Sequence, residues 1–290
     1  WADYFTIVAS ANKLLDELDK VRLNDGKIQT EYRAEARFLR ALAYFDLVRF
    51  FGRVPAPTHS LTTEQAFKLG QSEAKDVYEN IIVPDLRYAA ENLPLNAPKD
   101  YQGNSHSERA TKNAAKGMLA RVYLTMSGYP LNMTEKRDSV ALLCKDIIDY
   151  SEKNNKYWAK NIDEWNRMWV HENDNKYFIF EVQHIAATGQ GNMYTANCMT
   201  KPSTSVFCNP NLIIGNVHIY AENSLRDHFR ETDEGGINID QRSWGTISTS
   251  SIASDDNPTV DNDHLMFVKF FENKLKRAEL GYTDMDATVI

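Results

Sequence analysis

Apolar residues recur at helical spacing through roughly the first half of the chain. The segment 31–57 is the most apolar of these helical segments. Its later half contains only three polar residues, Arg40, Asp46 and Arg49. A helix that is apolar on nearly every face is typical of one enclosed by other helices. Gly52 stands where a left-handed cap ends a helix, and Pro55 and Pro57 prevent the helix from continuing.

Four further segments have apolar residues on one helical face, namely 1–19, 72–92, 105–127 and 134–152. The expected N-terminal caps of the last three are Ser72, Ser105 and Thr134. Pro84 is expected to kink or divide its helix after Val83, because proline removes a backbone donor. Cys144 falls on the apolar stripe of the last helix and is expected to be a small core residue.

The character of the chain changes after residue 152. Residues 177–183 alternate between apolar and polar side chains and predict a strand. The stretch 185–260 is rich in Gly, Asn, Thr and Ser, which predicts extensive loops. A last structured piece is expected from His264 onward.

Composition narrows the function classes. The chain has 290 residues, 42% of them hydrophobic and 25% charged, which is an ordinary globular balance. A net charge of −7 argues against a nucleic-acid partner, which would require a basic face. There is no apolar run of about 18 residues and no signal peptide. Because Trp1 opens directly into a helix, we expect the chain to be truncated at its N-terminus.

No motif for catalysis or metal binding stands out, so neither catalytic residues nor a cofactor are predicted. The sequence has no GxSxG, HExxH or phosphate-loop motif, and its seven histidines are scattered. Asp255, Asp256, Asp261 and Asp263 could bind calcium, but they lack EF-hand spacing, and a solvated acidic loop is the favoured interpretation. A Cys198–Cys208 disulfide is a further alternative.

Three stretches resemble one family. The run AEARFLRALAYFDLVRFFGRVP, at 34–55, resembles the signature helix of the SusD/RagB family, the surface glycan-binding lipoproteins of Bacteroidetes. WADYFTIVASANKLLDEL resembles the preceding helix of that family, and ERATKNAAKGMLARVYL a later one. The resemblance implies a mainly α fold of tetratricopeptide-like helix pairs, with a loop-rich region containing short β-strands. It implies a helical-repeat region at 1–152 and a loop-rich region at 153–290, packed as one continuous domain that is truncated at both ends and corresponds to the first half of a longer protein.

The same resemblance implies a function. The chain would be a non-catalytic, lipid-anchored protein of the outer membrane that binds oligosaccharide at the cell surface. It would deliver the glycan to a SusC-like TonB-dependent transporter for nutrient uptake. Two alternatives remain. A helical glycoside hydrolase would need two carboxylates about 5–10 Å apart, for which Glu164, Asp227 and Glu231 are available; a tetratricopeptide-type scaffold would bind a protein and no sugar.

Sugar binding requires an aromatic ring for the C–H face of a pyranose and fixed polar groups for its hydroxyls. Loops of this chain place such rings beside polar residues, with Tyr101 near Asn104, Tyr194 among asparagines, and Trp244 near Arg242. These five residues are the predicted carbohydrate-binding residues. The alternative for each ring is that it packs beneath its own loop.

Trp244→Ala tests this interpretation. A ring in a binding loop can be removed without unfolding the protein, so we expect a folded variant with weakened glycan affinity. Isothermal calorimetry against a glycan panel measures the change. Unaltered affinity would remove Trp244 from the binding residues.

Overall fold

The computed structural model describes residues 1–21, 25–98, 108–161, 164–165, 168, 176–182, 247–248, 250–254, 257–260 and 266–267. Seven α-helices and one π-helical turn occupy the described part before residue 155. They are α1 (Ala2–Leu18), α2 (Gly26–Phe51), α3 (Thr63–Lys68), α4 (Ala74–Val77), the π turn (Tyr78–Ile82), α5 (Val83–Asn92), α6 (Lys112–Met126) and α7 (Lys136–Asn154). The fold of this part is helical, as predicted.

The long helices pack as successive antiparallel neighbours. Gln29 at the start of α2 donates a hydrogen bond to the carbonyl of Leu18 at the end of α1, at 2.9 Å. Helices α6 and α7 are arranged in the same way. Met133 N, before α7, donates to the carbonyl of Met126 at the end of α6 at 2.9 Å, and Lys116 of α6 pairs with Asp146 near the middle of α7 at 2.7 Å. Each helix therefore covers the apolar face of the one before it, as in tetratricopeptide-like pairs.

Helix α2 lies at the centre of this packing. Its fully buried apolar side chains include Phe38, Ala41, Ala43, Tyr44, Phe45 and Leu47. It contacts α1 on one side and α5 on the other. The prediction of an enclosed helix is confirmed for these positions, but Leu39, Phe50 and Phe51 are exposed, so one face and the last turn reach solvent.

A buried ion pair connects α2 to α5. Arg40 Nε donates to Asp85 Oδ2 at 2.7 Å, and Arg40 Nη2 donates to Asp85 Oδ1 at 2.9 Å. Arg40 Nη1 also donates to Asn12 Oδ1 of α1 at 2.8 Å and to the Thr58 carbonyl at 2.9 Å. Burial raises the pKa of Asp85, and the Arg40 hydrogen bonds oppose that rise. Arg40 is therefore fully paired, as a buried charge must be.

The same cluster holds the segment that leaves α2. Gly52 ends the helix with φ of 69°, a backbone conformation that favours glycine. Beyond it, the Pro57 carbonyl accepts hydrogen bonds from Tyr44 at 2.6 Å and from Asn12 at 3.0 Å, and the His59 carbonyl accepts one from Asn12 at 3.2 Å. Buried backbone carbonyls that lie outside a helix require such partners.

Pro84 divides its helix as predicted. The backbone N–H of Val83 donates to the Tyr78 carbonyl, five residues earlier, which is the spacing of a π turn. Pro84 follows in the first turn of α5, where its missing N–H costs little.

Three helices begin later than predicted. Ser72 is not a cap, because its backbone forms a bridge with Val54, with N–O distances of 2.8 and 3.3 Å. Ser105 lies outside the described residues, and Thr111 caps α6 instead, accepting from Ala114 N at 3.3 Å. Thr134 precedes α7, whose N-cap residue, Glu135, makes no side-chain capping bond.

Two predictions were wrong and one element was missed. Residues 177–182 form no strand, and Phe180 instead packs edge-on against Phe38 at 5.1 Å between ring centroids. Cys144 is exposed, because it lies about 100° around the helix from Leu143, which packs on the core. The missed element is α3, whose Thr62 and Gln65 form a reciprocal capping box.

The chain separates into two compact units, one of Trp1–Trp158 with Phe178–Val182, the other of Ala159–Tyr177 with Gln183–Ile290. In the second unit, β1 (Ile247–Ser248) pairs antiparallel with β4 (Met266–Phe267). β2 (Ser250–Ser254) pairs antiparallel with β3 (Asn257–Val260), with an irregularity between Ile252 and Ser254. The predicted division at residue 152 and the predicted single domain stay predictions.

Arg40→Ala should lower the free energy of unfolding by about 3–5 kcal/mol, because it leaves the Asp85 carboxylate buried without its partner. Arg49→Ala is the matched control on the same helix, since Arg49 forms a half-exposed pair with Asp46 at 3.3 Å. Such surface pairs contribute about 0–1 kcal/mol. Urea denaturation measures both variants, and equal losses would contradict the structural role of the buried pair.

Tyr78 predicts a loss of stability at alkaline pH. Burial raises its pKa from 10.0 to about 12. Between these values the unfolded chain releases the phenolic proton while the folded protein keeps it, so the stability present below pH 10 is lost as pH rises. Tyr78→Phe should reduce this decline by up to about 1.4 kcal/mol per pH unit. Unfolding free energies above and below the transition measure it; Tyr129→Phe, on an exposed ring, should leave the decline unchanged.

Candidate functional site

The five predicted carbohydrate-binding residues, Tyr101, Asn104, Tyr194, Arg242 and Trp244, lie outside the described residues. The same is true of Asp227 and Glu231, of Cys198 and Cys208, and of the acidic group Asp255, Asp256, Asp261 and Asp263. These assignments stay predictions. The candidate site below is therefore built from other side chains of the helical unit.

The end of α7 brings two tyrosine rings together. Tyr150 lies in the last turns of this helix, and Asn155 closes it in the left-handed conformation, with φ of 52° and ψ of 50°. Lys156 N then donates to the Ser151 carbonyl at 3.1 Å, and Ser151 Oγ donates to the Lys156 carbonyl. This reversal stacks Tyr157 on Tyr150, with ring centroids 5.7 Å apart and planes inclined by 30°.

Two amide side chains from other segments hold the tyrosine hydroxyls. Tyr150 OH donates to Asn96 Oδ1 at 3.1 Å, and Asn113 Nδ2 donates to Tyr157 OH at 3.4 Å. Asn96 follows α5 and is exposed, whereas Asn113 lies in the first turn of α6 and is only 2% exposed. Three segments distant in sequence therefore converge on this ring pair. We call Asn96, Asn113, Tyr150 and Tyr157 the tyrosine site.

The backbone at the tyrosine site is in an unusual conformation. Tyr157 has φ of 67°, which residues other than glycine seldom adopt. Such a conformation costs of order 1–3 kcal/mol, and the surrounding contacts must maintain it. The ring stack and the Asn113 hydrogen bond are the contacts that fix Tyr157. Residues held in this way concentrate at binding and catalytic sites.

The electrostatics of the tyrosine site suit a neutral polar ligand. Burial, and then the neighbouring Tyr157, raise the pKa of Tyr150, so its hydroxyl stays protonated at neutral pH and donates to Asn96. Asn96 uses only its oxygen in the bond with Tyr150, so its N–H groups can donate to a ligand. Tyr157 OH accepts from Asn113, so its O–H can also donate. Trp158, the next residue in sequence, is 52% exposed. Rings with nearby amides and hydroxyls are the groups that contact sugars.

Of the three carboxylates considered for hydrolysis, Glu164 lies among the described residues, and its environment does not suit a general acid. Glu164 pairs with Lys176 at 2.8 Å and accepts from Lys160 N at 2.9 Å. The Lys176 hydrogen bond, followed by the Lys160 backbone N–H, lowers the pKa of Glu164. A general acid needs the opposite, a raised pKa that keeps its proton.

Within the described ranges, no group of three or more His, Cys, Asp or Glu side chains is arranged to hold a metal ion. In those same ranges, every helix is too short or too polar to cross a lipid bilayer.

Sequence reasoning missed the tyrosine site for a specific reason. Tyr150 falls on the apolar stripe of α7, a position typical of core packing. The available signal was the pair Asn154-Asn155 directly before Tyr157-Trp158, because asparagine favours a left-handed reversal and two adjacent rings follow it.

Comparison with known proteins agrees with the fold. Residues 1–124 match a family model described as "Starch-binding associating with outer membrane". SusD-like protein P25 of Formosa agariphila is 28% identical over 151 residues, which are 52% of this chain and 26% of that protein. A SusD-like protein of Bacteroides ovatus is 31% identical over 158 residues, 52% of this chain and 27% of that one.

Two solved structures extend the likeness beyond the helices. A SusD superfamily protein from Parabacteroides distasonis superposes with a TM-score of 0.72 at 25% identity. The superposition covers 94% of this chain and 55% of the Parabacteroides chain. A laminarin-binding SusD-like protein superposes with a TM-score of 0.67 at 25% identity. The superposition covers 95% of this chain and 58% of the laminarin-binding chain.

The fold defines a helical protein built from tetratricopeptide-like pairs. Residues 1–124 match the SusD-like family model, and the resemblance to SusD/RagB proteins is confirmed. The matched segments span about a quarter of the curated relatives and somewhat more than half of the solved chains.

Proposed function

We propose that this chain binds oligosaccharide without transforming it, as part of a glycan-uptake system at the cell surface. The observation that carries this is the tyrosine site. It presents stacked rings and unused amide and hydroxyl donors on a SusD-like scaffold. A sugar buries its C–H face on such a ring and exchanges hydroxyl hydrogen bonds with the amides.

The proposal includes the partner and the location. Delivery to a SusC-like TonB-dependent transporter, with attachment to the outer membrane through a lipid outside this chain, is consistent with the family description and the curated relatives. The laminarin-binding neighbour makes neutral β-glucan oligosaccharides the first ligands to test.

Tyr157→Ala in the 290-residue chain tests the tyrosine site. Loss of the ring and its hydroxyl should weaken laminari-oligosaccharide binding by about thirtyfold, because an aromatic contact and a hydrogen bond each contribute of order 1 kcal/mol. Calorimetry measures the affinity, and thermal unfolding verifies that the variant is folded.

Tyr129→Ala is the matched control, since Tyr129 is also a tyrosine of the helical unit and is 90% exposed. It should bind like the unsubstituted protein. Equal effects of the two substitutions would remove the tyrosine site from the proposal. Release of reducing sugar from any bound glycan would overturn the non-catalytic assignment.

A further inference from the structure

A second set of exposed rings lies where α2 ends. Trp1 contacts Phe5 at 5.0 Å and Phe51 at 4.7 Å between ring centroids, and Phe50 contacts Phe51 at 6.3 Å. Trp1, Phe50 and Phe51 are 49%, 64% and 48% exposed. We call Trp1, Phe5, Phe50 and Phe51 the ring patch. Adjoining exposed rings form a contiguous apolar patch, which is a feature of contact sites.

Two arginines, one from α2 and one from α6, lie over the Phe45 ring. The Arg49 guanidinium carbon lies 5.1 Å from the Phe45 ring centroid and 5.9 Å from that of Phe50. The Arg121 guanidinium carbon, from α6, lies over the same Phe45 ring at 5.8 Å. Arg49 therefore joins the buried Phe45 ring to the exposed Phe50 ring, and Arg121 approaches from a different helix.

The guanidinium groups remain available for an anion. A guanidinium that lies over a ring uses its face, so its N–H donors stay at the edge. Within the described part of the chain, Arg121 makes no ion pair. Arg49 commits Nη1 to Asp46 at 3.3 Å, and that pair is half-exposed and weak.

The local charge balance favours an anion despite opposing groups. The C-terminal carbonyls of α2 carry about half a negative charge, and Asp46 carries one. Two guanidiniums carry two full positive charges, so the balance is positive. This contrasts with the net charge of −7 over the whole chain.

We infer that the ring patch with Arg49 and Arg121 is a second carbohydrate site, selective for sugars that carry a carboxylate or a sulfate. The C–H face of a pyranose rests on Phe50 and Phe51, and its anionic substituent accepts hydrogen bonds from the two guanidiniums. The proposal rests on the glycan-binding function above. It adds acidic glycans to the ligand range and separates their recognition from the tyrosine site.

The test compares acidic and neutral oligosaccharides on the 290-residue chain. Oligogalacturonate supplies carboxylates, a sulfated galactan oligosaccharide supplies sulfates, and laminari-oligosaccharide is neutral. Arg121→Gln should weaken binding of at least one acidic ligand by about fivefold to tenfold, because hydrogen bonds to charged groups are stronger than neutral ones. Laminari-oligosaccharide affinity should not change. Which of the two acidic ligands responds identifies the anionic group.

Two control variants test whether the effects are specific to this site. One removes an arginine charge elsewhere, and the other removes an exposed ring elsewhere. Arg137→Gln removes the same charge from an exposed site on α7 and should leave acidic-ligand affinity unchanged. Phe50→Ala should weaken acidic binding, whereas Tyr129→Ala should not. Added salt should weaken binding of the acidic ligands and not of the neutral one.

Two results would overturn the inference. One is the absence of acidic-oligosaccharide binding by the unsubstituted chain; the other is an equal effect of Arg121→Gln and Arg137→Gln. Failure of the proposed function would give a different result from failure of this inference. In that case the unsubstituted protein would not bind the neutral glycan. Binding of laminari-oligosaccharide that responds to Tyr157→Ala but not to Arg121→Gln, with no acidic binding, would retain the first proposal and reject this one.

Discussion

The buried pair between Arg40 and Asp85 is the constraint on which the helical unit depends. Removing two charges from water costs several kcal/mol for each ion, and the cost is offset only when geometry and hydrogen bonding are nearly complete. Here Arg40 donates two bonds to the Asp85 carboxylate, one to Asn12 and one to a backbone carbonyl. The pair therefore requires α1, α2, α5 and the segment after α2 to be in place together. Apolar packing alone would tolerate small shifts between these helices, whereas four directed bonds do not.

This arrangement separates structure from recognition. The centre of the helical unit is committed to packing and to the Arg40 cluster, so it has little left to offer a ligand. Groups suited to binding occur where helices end. Tyr157 lies beyond the end of α7, Asn96 beyond the end of α5, and Phe50 in the last turn of α2. Helix ends are also where main-chain direction changes, which allows rings from different segments to meet.

The sequence predicted the helices well and their surroundings less well. Periodicity identified α1, α2, α6 and α7 because burial on one face imposes a repeat that local composition retains. The caps were harder, because Ser72 has the right chemistry for a cap but its backbone is already engaged with Val54. Residues 177–182 alternate as a strand does, yet Phe180 obtains its burial by packing against Phe38. The predicted sugar-binding rings all lie in loops, whereas the tyrosine site includes a ring of α7. The Tyr150–Tyr157 stack depends on a left-handed reversal at Asn155 and on amides more than 40 residues away, so local sequence alone does not reveal it.

The π turn before α5 has a consequence for the phase of that helix. Each residue of an α-helix advances the side chains by about 100°, so the additional residue in a π turn shifts all later positions by that amount relative to earlier ones. Val77 before the turn and Asp85 after it are both buried, although they are eight residues apart and a regular α-helix would offset them by about 80°. The turn thus acts as a phase correction that directs Asp85 toward Arg40. A length change of one residue in Tyr78–Ile82 would rotate Asp85 away from Arg40, and it would turn the buried Leu86 and Ala89 of α5 by the same angle.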